Sequence, residues 1–481
     1  MSDIISTDSG DWEVVVGLEV HCELRTATKL FCACRNAFGD EPNTNICPVC
    51  LGLPGSLPVM NRQAVAYAMA IGAALQCSIQ PSIFHRKNYF YPDMPKDYQV
   101  SQYDEPINVE GHLELPGGFR VGIERAHMEE DTGKSTHVGE TGRIHEATHS
   151  LVDYNRAGVP LVEIVSKPDI RSAEQARAYV SELRAILVAT GASDGRMEEG
   201  SLRVDANVSV RPVGQDEFGT RCEIKNLNSL RSLGRAIDHE AARQWDLLAT
   251  GERIVQETRH WNEDDGRTHS MRSKEEAFDY RYFPEPDLVP LVPSDEWQAE
   301  VRAALPAMPA ERRATLAEAT GVTPAEVATL VEQDLDGLVL AAVSAGADGK
   351  IARNLAANEL GADIERATTL DPAAFAGLVK LQADGKLTAT QSKQVLADLL
   401  DAGGSGDPAA IAAERGFEAM DEGDLAGLVD ELIAAHPDEF GRYRDGDQKL
   451  TGFFVGQVMN RTQGQADGKA VTRLLQEKAK G

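Results

Sequence analysis

Alternation of apolar and polar positions dominates the first 295 residues. In Val14–Leu24 an extended chain sends Leu18, Val20, Cys22 and Leu24 one way and Glu19, His21 and Glu23 the other. The same period runs through Leu202–Val210, where Arg203, Asp205 and Asn207 share one face and Leu202, Val204, Ala206 and Val208 the opposite one. Arg221, Glu223 and Lys225 repeat it. Helical stretches interrupt at Asn61–Leu75 and Ser172–Thr190. The pattern predicts an α+β domain over residues 1–294, built on a mixed, largely antiparallel sheet. A sheet with one apolar face and one face of charges and amides is an open binding surface. The plainer alternative is a solvated sheet face.

Near Pro293 the character changes, and alanine, leucine and glutamate replace the aromatics. Thr323-Pro-Ala-Glu326 reads as a capping box with proline at the first helical position, Asp371-Pro372 opens a second helix, and Thr390 caps a third. An all-α helical domain is expected over 295–404. Asp401–Pro408 has linker composition, and a small helical tail domain follows over 405–481.

The chain of 481 residues is 42% hydrophobic, enough for several cores. It has neither an apolar leader nor a long uncharged run, so a cytoplasmic protein without membrane contact is expected. A net charge of −28 argues against a general nucleic-acid-binding surface. The charge is uneven. Phe440–Gly481 carries eight basic and four acidic residues, a net +4, which leaves −32 on the remainder. Such a tail suits local phosphate contact; a fluctuation in surface charge explains it equally well.

Four of the seven cysteines form Cys32-Ala-Cys34 and Cys47-Pro-Val-Cys50. Two short pairs separated by a loop suit a closed, structural, tetrahedral zinc site. Disulfides and free thiols are the alternatives, and a reducing compartment disfavours the first. Cys22, Cys77 and Cys222 read as core thiols.

Glu129 and Glu130 precede a Thr-Gly turn, and carboxylates stand among apolar strand positions at Glu19 and Glu163, with His21 beside the first. A charge there is costly unless paired or bound to a metal. Oxygen-rich ligation with one imidazole suits Mg²⁺ or Mn²⁺. Each residue taken singly fits a salt bridge. Arg86–Tyr98 mixes cations with aromatics, which suits nucleotide stacking as well as packing at a sheet edge. Thr132-Gly-Lys-Ser135 is not a phosphate-binding loop, because the position of its required earlier glycine is Met128.

Several blocks resemble the B subunits of bacterial aspartyl/glutamyl-tRNA amidotransferases. They include Gly17-Leu-Glu-Val-His21, Arg86-Lys-Asn-Tyr-Phe-Tyr-Pro-Asp93, His127–Ser135, Asp153–Glu163, Glu198–Asn207, Glu223–Asn228, Asp279–Asp287 and Gly452–Met459. The resemblance spans essentially the whole chain, in order. It implies a cradle domain, a helical domain and a tail, the last two holding tRNA. It also implies a heterotrimer with an amidase (glutaminase) subunit and a small third subunit. The implied reaction converts misacylated Glu-tRNA(Gln), Asp-tRNA(Asn) or both to the amide, with ATP phosphorylating the side-chain carboxylate and ammonia displacing phosphate. The resemblance further implies a magnesium site at Glu19, His21, Glu129, Glu130 and Glu163, and zinc in some members. Gly139–His149 looks longer than usual and reads as a surface hairpin or loop.

On this reading Lys87, Arg203 and Lys225 contact phosphate or substrate, and Asp205 and Asn207 orient the amino acid. Glu130 is also a candidate to take a proton from ammonium. The chain lacks a glycine- and serine-rich Ser-Ser-Lys amidase stretch, so glutamine hydrolysis is expected of the partner. A non-catalytic tRNA-binding scaffold with structural zinc is the alternative, and a metal-dependent hydrolase is a third reading.

Overall fold

The structure, a computed structural model, describes residues 4–7, 10–139, 147–271, 280–417, 422–462, 466 and 468–480. The chain divides into one unit ending at Pro309 and another beginning at Ala310.

The first unit is a twisted sheet with helices on one face. From edge to edge the strands run Arg267–Ser270, Thr258–Asn262, Cys222–Leu227, Leu202–Pro212, Gly10–Glu23, Pro160–Ser166, Arg120–Glu130, Tyr98–Glu105, Ile83–Asn88 and Phe283–Pro284. Neighbours are antiparallel except Cys222–Leu227 and Thr258–Asn262, which are parallel and need the helix Leu230–Ala249 to connect them. The two-residue period decides what is buried. Leu18, Val20, Cys22, Val204, Ala206 and Val208 sink into a core shared with Tyr179, Leu183, Leu233 and Ile237 of the helices Ala173–Ala189 and Leu230–Ala249. Glu19, His21, Arg203, Asp205 and Asn207 remain on the uncovered face.

The helix Arg62–Ala74 begins at Asn61, whose side chain accepts from the Gln63 and Ala64 N–H groups, and Ser172 caps Ala173–Ala189 in the same manner. The helix Asp295–Ala303 belongs to this unit, with Trp297 packed on the core and the Arg62 guanidinium 4.2 Å from its ring centroid. Lys134–Val138 and His149–Asp153 pair as a separate two-stranded ribbon. Residues 140–146, within the long segment noted above, lie outside the described residues.

The second unit is helical, with one hydrophobic cluster from Leu316 to Ala412 and another from Leu425 to Leu475. Three local details follow from side-chain chemistry. Glu326 accepts from the Thr323 N–H at 2.9 Å, but the turn it caps is the short 3₁₀ segment Pro324–Val327. Asp371 caps Pro372–Ala383 as expected. The cap of Ala389–Asp401 is Thr388, not Thr390: Gln391 accepts from the Thr388 N–H at 2.8 Å and completes a box, whereas Lys393 three residues beyond Thr390 cannot accept.

The glycine-rich stretch 401–408 is a packed connection, not a free linker. Gly404 accepts from the Asp371 N–H at 2.8 Å, and with φ +83° a Cβ there would meet the Thr369 carbonyl oxygen at 2.0 Å. Of the basic tail, the side chains of Lys469 and Lys480 lie outside the described residues. No helix among the described residues is long and apolar enough to cross a membrane.

Candidate metal centre and substrate cleft

Strand register assembles the site. Glu163 lies opposite His21 on one neighbour and His127 on the other, while Arg203 lies opposite His21 from the far side. Arg203, His21, Glu163 and His127 therefore form one row across four strands of the open face. One pair along, Glu129 and Glu23 both lie opposite Leu161; on the other side of the row, Asp205 lies opposite Glu19.

His21, Glu129 and Glu163 converge. The His21 Nε2 is 3.6 Å from a Glu129 oxygen and 3.7 Å from a Glu163 oxygen, and the His127 Nε2 is 3.4 Å from that same Glu163 oxygen. The two His21 separations exceed a hydrogen bond but suit atoms sharing one small cation, for which bonds of about 2.1 Å give ligand spacings of roughly 3–4 Å. Burial pushes His21 down to about 4 against the opposing pull of Glu163, so its imidazole is neutral and ready to ligate. Burial, and then the Glu163 charge, pushes the Glu129 carboxyl up. Carboxyls driven toward protonation and a neutral imidazole form a donor set that a divalent cation would satisfy.

Glu19 faces the same way one row from Glu163, held by the Asn207 side-chain amide at 2.9 Å; burial and then Glu163 raise its pKa. Glu130 does not join the group. Consecutive residues on a strand point to opposite faces, so with Glu129 on the open side Glu130 turns to the other. There its carboxylate pairs with Lys96 and accepts from the Val100 N–H at 2.9 Å.

A cleft of about 450 Å³ opens beside the cluster, lined by His21, Lys87, Glu129, Arg203, Asp205 and Lys225 among others. Lys225 bridges Asp205 at 2.8 Å and Glu223 at 2.7 Å; burial opposes its charge, but these two carboxylates outweigh burial and raise its pKa. Arg203 holds Asp131 at 2.6 Å. A second cleft of about 640 Å³ lies across Glu19 and Asn207, with Arg221 and Phe218 in its wall. Of the expected residues, His21, Lys87, Glu129, Arg203, Asp205 and Lys225 line the first cleft and Glu19 and Asn207 the second, whereas Glu163 lines neither but meets His21, and Glu130 lies apart.

Two participants escaped the sequence reading, His127 and Asp131. His127 is fully buried, and neither ring nitrogen has a hydrogen-bond partner among the described residues. Burial, then Arg125 and Lys87, drive its pKa down to about 3. The signal was the period itself: His127, Glu129 and Asp131 alternate as Glu19, His21 and Glu23 do.

The cysteines form the second metal-type group, Cys32, Cys34, Cys47 and Cys50, all unpaired thiols. The Cys47 and Cys50 sulfurs are 3.9 Å apart, close to the roughly 3.8 Å edge of a tetrahedron with Zn–S bonds of about 2.3 Å. The neighbouring Cys32 thiol lowers the pKa of Cys50 against the effect of burial, and the Cys47 N–H and the Lys29 charge add to it.

Known proteins carry the same organisation. A family model described as the GatB/GatE catalytic domain matches residues 14–299, and one described as the GatB domain matches residues 338–479. The B subunit of the aspartyl/glutamyl-tRNA(Asn/Gln) amidotransferase of Nocardia farcinica is 52% identical over 481 residues, covering 96% of this chain and 95% of that one. The proteins of that name from Mycobacterium sp. (strain KMS) and Oleidesulfovibrio alaskensis are 51% and 49% identical, covering 96% and 97% of this chain and 95% and 99% of their own. With both halves of the chain matched and about half of all residues shared along its length, the protein belongs to the family of B subunits of the aspartyl/glutamyl-tRNA(Asn/Gln) amidotransferases.

Proposed function

We propose that the protein activates and amidates the side-chain carboxylate of misacylated Glu-tRNA(Gln), Asp-tRNA(Asn) or both, as one subunit of a carbon–nitrogen ligase. The observation that carries this reading is the convergence of His21, Glu129 and Glu163 beside a cation-lined cleft. Ammonia cannot displace oxide from a carboxylate. Attack of a carboxylate oxygen on the γ-phosphorus of ATP releases ADP and leaves an acyl phosphate. Ammonia then forms the C–N bond, phosphate departs with the C–O electron pair, and one proton leaves nitrogen.

His21, Glu129 and Glu163 would hold Mg²⁺, with Glu19 directly or through water, and the ion would neutralise phosphoryl charge. Lys87, Arg203 and Lys225 add positive charge to the cleft. Asp205 and Asn207 orient the esterified amino acid. The cleft of about 640 Å³ beyond Glu19 offers room for the nucleotide. Glu130, held by Lys96 in a separate cavity of about 280 Å³, is the candidate to take a proton from ammonium. The four cysteines hold structural zinc.

Glutamine hydrolysis falls to an amidase partner, with a small third subunit completing a heterotrimer in the cytoplasm. The helical unit and the basic tail hold tRNA by shape and phosphate contact.

The test is amidation of each misacylated tRNA by the assembled complex, with ammonium as donor, with and without ATP. ATP-dependent product is expected. Full turnover in Glu19→Ala and Glu163→Ala variants would instead make this chain a scaffold.

A further inference from the structure

A strip of tyrosines beside the cleft has no part in the chemistry above. At its outer end Tyr91 stacks on Tyr89, with centroids 4.6 Å apart and planes 27° apart. Tyr280 meets Tyr282 edge-on at 6.1 Å, and Tyr282 stacks on Tyr103 at 5.5 Å and 20°. Tyr103 then reaches the His127 ring at 5.9 Å, next to Glu163. The stack of Tyr280, Tyr282 and Tyr103 thus ends at the carboxylate cluster, and Tyr89 of the outer pair lines the cleft.

Rings that served only the core would be covered. Here Tyr91 is 45%, Tyr103 43% and the adjoining Phe90 74% exposed. Two cations lie over ring faces, the Lys87 ammonium 4.9 Å from the Tyr280 centroid and the Arg125 guanidinium 4.6 Å from that of Tyr103. Flat open rings interleaved with positive charge suit unpaired nucleotides, whose bases stack on the rings while phosphates meet the cations. On a chain of net charge −28, such a strip is a local exception to repulsion of RNA.

We propose that Tyr91 and Tyr103, with Phe90, form a stacking ledge for the unpaired 3′-terminal nucleotides of an aminoacylated RNA, which leads the esterified amino acid to the cleft. The inference rests on the cleft being the amidation site. Stacking of this kind tolerates any base, so the ledge holds the 3′ end and leaves discrimination among RNAs to other contacts.

The test uses the assembled complex and tRNA carrying 2-aminopurine in place of its terminal adenine, a probe whose fluorescence falls on stacking. Quenching is expected with the wild type. Tyr91→Ala and Tyr103→Ala are expected to lose most of it and to raise the KM for misacylated tRNA about tenfold. Tyr91→Phe and Tyr103→Phe keep both properties, because the ring and not the hydroxyl does the stacking.

An unquenched probe in the wild type, or an unchanged KM in both alanine variants, overturns the ledge. So does equal loss in the phenylalanine variants, which would mean a hydroxyl contact. Loss of the amidase partner from the alanine variants, with unchanged KM for tRNA, would make the strip a protein interface and also overturn it. A quenched wild-type probe in a complex that lacks ATP-dependent amidation would remove the functional reading and leave the ledge standing.

Discussion

Glu163 and His21 face each other across adjacent antiparallel strands, the Oε2 of one 3.7 Å from the Nε2 of the other. The pair is set by backbone register, so it is held as rigidly as the sheet itself. Glu163→Gln keeps the volume and removes the charge. It is expected to lower ATP-dependent amidation by at least the ~100-fold that loss of a supporting group costs a metal site. Affinity for tRNA, measured by filter binding, is expected to stay within about twofold, because phosphate contacts dominate that binding.

The buried carboxyls set a pH dependence. Burial, and then Glu163, raises Glu129 to about 8. A carboxyl raised in the folded state contributes stability that is complete below its unfolded value, and that is lost as pH rises through the folded one. A cation must displace the proton, so its affinity rises over the same range. Thermal unfolding without metal is therefore expected to move to lower temperature from about pH 5 to about pH 8, with Mg²⁺ restoring more stability at the upper end. Equal stabilisation by Mg²⁺ across that window contradicts ligation by Glu129.

The cysteine group should hold about one zinc per chain. Metal analysis of freshly purified, reduced protein checks this. Cys47→Ser is expected to lower both zinc content and Tm while leaving the Mg²⁺ requirement of amidation unchanged. Zinc-free wild-type protein would return the four residues to ordinary thiols.

The basic C-terminal cluster can be removed whole, since Leu425–Leu475 forms a core of its own. Ending the chain after Phe417 also removes eight acidic residues over 418–439, a net −4 in all, so weaker tRNA binding with a flatter dependence on salt is expected from the loss of local phosphate contacts and not of net charge. The same affinity and the same slope would remove this segment from tRNA recognition.

Much of the fold was legible because burial follows simple periods. Leu18, Val20 and Cys22 marked the core face of their strand, and Glu19 and His21 the open one. The helical stretches at 61–75 and 172–190 stood out by period, and Asn61 and Ser172 cap the two helices by satisfying free N–H groups. The family resemblance groups Glu130 with Glu129, whereas that same strand alternation separates them, and it sets His127 on the face of Glu129. What sequence could not supply was register. Nothing local says that residues 21, 129 and 163 meet, because that depends on which strands pair and at what offset. The glycine-rich stretch at 401–408 misled for a related reason: its composition is that of a linker, and only packing against Thr369 makes it a tight turn.

Oxygen transfer tests the phosphorylating role most directly. Misacylated tRNA carrying ¹⁸O in the side-chain carboxylate is amidated by the assembled complex with ATP and ammonium, and the released phosphate is analysed by mass spectrometry. One ¹⁸O per phosphate is expected from the wild type, with phosphate release abolished in Glu163→Gln. Phosphate free of ¹⁸O, or undiminished release of labelled phosphate from the variant, would contradict carboxylate activation at the His21, Glu129 and Glu163 cluster.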